Sequence, residues 1–168
     1  RGVYVFFPDY GLIAYNLGNG VTVKAGTGNA ILRNSIFDNL MLGIDLNEDG
    51  VTPNDALDAD SGSDGLQNYP VITAIRAATL VSGTLSSKPS TTYRLEFFGN
   101  TSADPTGYGE GQTFLGTVNV TTNLNGVVAF AATLTSAGTV VAATATDPYS
   151  NTSEFSAVLG IVVNSTGD

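Results

Sequence analysis

Tyr93-Arg94-Leu95-Glu96-Phe97-Phe98 sets Tyr93, Leu95 and Phe97 in alternation with Arg94, Glu96 and Phe98. Successive side chains of an extended chain point to opposite faces, so the stretch predicts a strand with Tyr93, Leu95 and Phe97 turned to a core. Glu96 is expected to pair with Arg94, two residues away on the same face, or with a cross-strand polar group. The same alternation recurs at Val128, Phe130, Ala132 and Leu134. Working outward gives seven candidate strands, at 71–77, 79–85, 91–98, 113–121, 127–134, 139–146 and 153–163. Turn-formers separate them, among them Ser87-Lys88-Pro89-Ser90, Asn123-Leu124-Asn125-Gly126 and Asp147-Pro148-Tyr149-Ser150-Asn151, where Asp147 and Asn151 are read as closing backbone hydrogen bonds. Strong helix signals are absent. The fold class is therefore all-β, with a seven-stranded sandwich over residues 71–168.

The N-terminal part reads differently. A glycine followed by alternating aliphatic or β-branched residues recurs as Gly2-Val3-Tyr4-Val5, Gly20-Val21-Thr22-Val23 and Gly43-Ile44-Asp45-Leu46, at offsets of 18 and 23 residues. Between the last two copies, 29–39 sets apolar residues among asparagines. Such spacing predicts coils of a parallel β-helix, whose short strands stack inward while Gly and Asn take the tight corners. Two coils close too little core to stand alone, so residues 1–44 are expected to be the final coils of a longer helix.

Residues 45–70 join the two patterns. Seven of the fifteen acids, Asp45, Glu48, Asp49, Asp55, Asp58, Asp60 and Asp64, fall between positions 45 and 64, where there is no Lys or Arg. Asp45-Leu46-Asn47-Glu48-Asp49-Gly50 is a D-x-N-x-D-G phrase whose alternating oxygens can converge on a hard cation, with Gly50 permitting the sharp turn. Asp60-Ser61-Gly62-Ser63-Asp64-Gly65 repeats it in part. The twelfth positions are Ala56 and Val71, so neither phrase is an EF-hand. The expectation is a calcium-binding connector with Asp45, Asn47, Asp49, Asp55, Asp58, Asp60 and Asp64 as ligands, because a divalent ion relieves the repulsion of crowded carboxylates.

Composition narrows the chemistry. The 168 residues contain no Cys and no His, which excludes disulfides, thiolate nucleophiles, histidine triads and Cys or His metal sites. Six bases against fifteen acids cannot build the basic patch that nucleic acid requires. No apolar run reaches the roughly 20 residues of a membrane helix, so no membrane insertion is expected. The general-acid, nucleophile and phosphate-loop templates each lack a member, and the reading is non-catalytic. Two further binding modes compete with a structural role. Tyr108, Phe114 and Tyr149, near loops at one sandwich edge, are the candidates for stacking against sugar rings. Val3, Val5, Phe6 and Phe7 form an apolar edge suited to strand addition in a filament.

The phrases 28–39, 43–55 and 66–71 resemble the end of large bacterial extracellular β-helix repeat proteins. Those at 93–100, 108–116, 143–147 and 154–156 look like the Ig-like module that follows the β-helix there. The resemblance implies the last coils of a right-handed parallel β-helix followed by an Ig-like sandwich. It also implies a secreted or cell-surface address and a structural or adhesive role. Partners would be other modules of the same chain or neighbouring subunits, with glycans as the alternative.

Overall fold

A computed structural model describes residues 11–77, 79–135 and 140–160. The described chain is all-β. It begins with four short strands: β1 (Leu12–Ala14), β2 (Val21–Val23), β3 (Ser35–Phe37) and β4 (Ile44–Leu46). β1 pairs in parallel with β3, Leu12 opposite Ser35, and β2 pairs in parallel with β4, Val21 opposite Ile44. The shift is the same in both pairs, so the chain completes one winding and lays the next on top of it. Asparagines stack on the same repeat: Asn16 Nδ2 donates to Asn39 Oδ1 at 2.7 Å, across 23 residues. The corner glycines fit because they lack a side chain, since a Cβ on Gly20 would lie 2.7 Å from the Gly43 carbonyl oxygen. The Gly2 phrase and the apolar edge at Val3, Val5, Phe6 and Phe7 lie outside the described residues.

Seven further strands make a sandwich-like body of two sheets. They are β5 (Val71–Arg76), β6 (Leu80–Ser86), β7 (Thr92–Asn100), β8 (Thr113–Thr121), β9 (Val127–Thr133), β10 (Val140–Thr146) and β11 (Leu159–Gly160). One sheet has the order β11-β10-β7-β8 and the other β5-β6-β9, and every pairing within them is antiparallel. Between the sheets lies a core that includes Val81, Leu85, Tyr93, Leu95, Phe97, Phe130, Val141 and Ala143.

The seventh strand is shorter than its sequence suggests. Residues 152–156 run beside β10, but side chains replace part of the backbone ladder. Ser153 Oγ and Ser156 Oγ accept the amides of Ala145 and Ala143, at 2.9 and 3.0 Å. A hydroxyl standing in for a carbonyl keeps the segment hydrogen-bonded while taking it out of regular strand geometry.

The second face of β7 is not turned to water. Glu96 and Phe98 are as buried as the core face, and every residue of β10 is buried. The stacked windings cover this face: Val23, Ile36, Ile44 and Leu46 pack with Phe98, Ala142 and Phe155 in a second apolar cluster. The result is three layers, windings on sheet on sheet. In the middle sheet β10 and the second half of β7 are buried on both sides, as the run of apolar and small residues in β10 requires, while the edge strand β8 keeps exposed residues.

Candidate metal centre

Between β4 and β5 the chain makes two short 3₁₀ turns, Ala56–Asp58 and Ser63–Leu66. Asparagines pin this connector. Asn54 and Tyr69 exchange two hydrogen bonds, the Asn54 amide donating to Tyr69 O at 2.8 Å and Tyr69 N donating to Asn54 Oδ1 at 2.9 Å. Asn68, 1% exposed, accepts from Asp55 N and donates to Asp55 O and Ser86 O. Its own backbone N–H donates to Asp58 Oδ1 at 2.8 Å. Asp58 is thereby drawn inside, to 2% exposure.

This fold-back brings three carboxylates together. One oxygen from each of Asp55, Asp58 and Asp60 lies within 4.8 Å of the other two. Asp58 Oδ2 and Asp60 Oδ1 are buried without a hydrogen bond. Lys88 Nζ stands 3.6 Å from Asp58 Oδ2. Burial raises the Asp58 carboxyl above its usual range, against the opposing pull of the Asn68 N–H and the Lys88 charge. Burial also raises Asp60, and the neighbouring charges of Asp55 and Asp58 push it further. Hard oxygen donors that are close, crowded and partly unsatisfied are what a calcium or magnesium ion requires. The residues present fit such an ion.

The other four residues of the expected ligand set lie elsewhere. Asp45 belongs to β4, opposite Thr22, and is buried. Its Oδ2 accepts from Asn19 Nδ2 at 2.7 Å, and its Oδ1 accepts from Asp49 N. Asn47 Oδ1 accepts from both the amide and the hydroxyl of Ser63. Asp49 is exposed. Asp64 is fully buried, Oδ1 accepting from Asn29 N and Nδ2 while Oδ2 has no partner. Asp45 thus spends its oxygens on the turn and on the winding beside it, and Asn47 spends its own on Ser63 of the fold-back. The three carboxylates that converge are those on the fold-back after the D-x-N-x-D-G phrase.

Three buried glutamates, none of them singled out as a connector by the sequence, join the windings to the sandwich. Glu96 Oε2 accepts from Arg33 N at 2.7 Å, and its Oε1 takes the expected pair with Arg94 at 2.8 Å. Glu110 accepts from Asn39 N and Nδ2. Glu154 accepts from Leu46 N and Thr52 N, both at 2.9 Å, and burial raises its carboxyl to about 7, with the charges of Asp45 and Asp49 adding to the effect. A backbone bridge between Ile36 and Gly111 completes the seam. Their only sequence signal was isolation: each glutamate stands in a run without nearby basic partners, Glu96 apart.

The aromatic trio does not form a common platform. Tyr108 is half-buried with its ring edge-on to Tyr69, at 5.8 Å between centroids. Phe114 packs edge-on to Phe98 and carries the Arg33 guanidinium over its face at 4.6 Å. Tyr149 alone is open, at 80% exposure. Asp147 and Asn151 close the turn as expected, Asp147 Oδ1 accepting from Tyr149 N and Asn151 N. Asn151 Oδ1 in addition accepts from Gly28 N, across to the windings.

No family model matches the chain, and no curated protein matches it.

Proposed function

We propose that the chain is a non-catalytic structural or adhesive module of a secreted or cell-surface protein. In this reading the stacked windings are the last coils of a right-handed parallel β-helix, and the seven-stranded body is an Ig-like sandwich that caps them. The observation that carries it is the use made of buried charge. Glu96, Glu110 and Glu154, the three buried glutamates, each accept backbone N–H groups of the windings or of the segment just after them. A stack of coils presents unpaired backbone donors on the surface where it ends, and burying them demands acceptors. The sandwich supplies them. Partners are further modules of the same chain or neighbouring subunits.

Calcium completes the module. Bound by Asp55, Asp58 and Asp60, it would satisfy the two orphaned oxygens and cross-link the fold-back to Asn68 and, through it, to β6. The connector would then hold the coils and the sandwich at a fixed angle under load. Thermal melting and limited proteolysis in calcium and in EDTA test this. Calcium is expected to raise the midpoint and protect the chain near Asp55. An identical melt and identical cleavage in both conditions would remove the ion from the account.

A further inference from the structure

The acidic fold-back contains one element that a plain cation cage does not need, a lysine. Lys88 follows β6, and its backbone is held at both ends. Its N–H donates to Tyr93 Oη at 3.1 Å, and its carbonyl accepts from Thr122 Oγ1 at 2.6 Å. The side chain is fixed less tightly, being 47% exposed. Its ammonium reaches under the connector, 3.6 Å from Asp58 Oδ2 and 3.8 Å from where a Cβ on Gly65 would stand. At 3.6 Å it is a neighbouring charge and makes no hydrogen bond, which leaves the buried Oδ2 without a donor. The Asp58 carboxylate, more than nine-tenths buried, is therefore half satisfied: Oδ1 accepts from Asn68 N, while Oδ2 has only the Lys88 charge beside it.

We infer that Lys88 determines which cation the centre holds, its tethered ammonium offsetting one of the three carboxylate charges so that the site matches a divalent ion and discriminates against a trivalent one. This rests on the calcium reading above. Three carboxylates alone carry three negative charges, and the best electrostatic match would be a trivalent ion. With the ammonium beside Asp58 the local sum is two negative charges, which a divalent ion neutralises. The repulsion between Lys88 and the ion grows with the charge of the ion, so it weighs more on a trivalent than on a divalent guest. The half-exposed side chain can swing toward water as the ion enters, while its pinned backbone keeps the charge within reach.

The variant Lys88→Met keeps most of the unbranched side chain and removes its charge. Calcium and terbium affinities are measured by calorimetry on the full chain, wild type and K88M. Terbium emission sensitised by tyrosine gives a second readout, since the chain has no Trp and Tyr93 adjoins Lys88. D58N serves as the control for ions bound elsewhere. K88M is expected to bind calcium about tenfold more tightly and terbium about thirtyfold more tightly, raising the terbium-to-calcium preference. Equal gains for both ions would overturn the selectivity, and unchanged affinities would overturn any role for Lys88 while leaving the calcium site in place. Binding by K88M and none by the wild type would support the charge offset and sink the calcium-stiffened module. Silence from both proteins would end both readings.

Discussion

Glu154, on the segment that follows β10, accepts the backbone N–H of Leu46 at the end of β4, at 2.9 Å. The same carboxylate accepts Thr52 N, so one buried group holds the chain on both sides of the D-x-N-x-D-G turn. Its carboxyl is raised from 4.5 to about 7, first by burial and then by Asp45 and Asp49. A carboxyl with a raised folded value binds its proton more tightly when folded than when unfolded. Its contribution is therefore whole below the unfolded value and is lost as pH rises toward 7. Asp58, Asp60, Asp64 and Glu110 are raised as well, so their contributions fall in the same direction. Without calcium, the protein should melt higher at pH 5 than at pH 8. Glu154 accounts for about 2.5 kcal/mol of the difference. The variant E154Q should flatten the dependence, and a slope equal to that of the wild type would refute the assignment.

The fold-back makes the proposed calcium ligands separable by mutation. D58N removes a charge from the converging trio, whereas D45N alters a carboxylate already committed to Asn19 and Asp49. A ligand at a hundred times its dissociation constant stabilises by about 2.7 kcal/mol, on the order of 5–10 °C for a chain of this size. That shift should survive in D45N, which will melt lower overall, and disappear in D58N. Calorimetric scans in calcium and EDTA decide it. Loss of the shift in D45N with retention in D58N would move the site to the D-x-N-x-D-G turn.

How much of this was legible follows from which constraints are local. Strand β8 was readable at its far end because the turn after it is built from nearby residues, Asn123 Oδ1 accepting from Asn125 N and Val127 N, and the Arg94–Glu96 pair because two-residue spacing puts both on one face. The offset of 23 residues gave the stacking register. The burial of Glu96 and Phe98 was not legible, because alternation reports two faces and says nothing of a third layer lying on the second. The same blindness explains the ligand set. A phrase with oxygens at alternate positions looks like a cage, but Asp45 lies in β4, where the neighbouring winding offers Asn19 as a donor. That donor is 26 residues away, and only stacking brings it there.

Asn39 is the joint between the windings and Glu110. Its Oδ1 accepts from Asn16, and its Nδ2 donates to Glu110 Oε1 at 2.6 Å. N39A would strip a buried carboxylate of its nearest donor, at a cost of about 2–4 kcal/mol. N39D is the sharper test. It sets a second carboxylate against Glu110, a clash that protonation relieves, so its deficit relative to wild type should shrink from pH 7.5 to pH 5. Urea unfolding at the two pH values measures this, and a deficit independent of pH would show that the two side chains do not face one another.

At Gly111 the windings and the sandwich exchange backbone hydrogen bonds. The Gly111 N–H donates to Ile36 O at 2.7 Å, and Ile36 N donates back to Gly111 O at 2.9 Å. A Cβ there would lie 2.6 Å from Phe155 Cε1 and 2.9 Å from Phe98 Cγ. Both rings are buried and stack edge-on at 5.4 Å between centroids, so neither can yield without disturbing the apolar cluster beneath the windings. G111A should therefore cost about 1–3 kcal/mol, the usual range for overpacking. Two outcomes separate this from a merely local strain. Because the seam joins all three layers, the variant should still unfold in one transition, with the windings lost together with the sandwich. Truncating the obstructing ring should return part of the loss, so that G111A and F155L together destabilise by less than their sum. Additive effects, or a first transition confined to the windings, would mean that the two bodies touch at Gly111 without depending on each other.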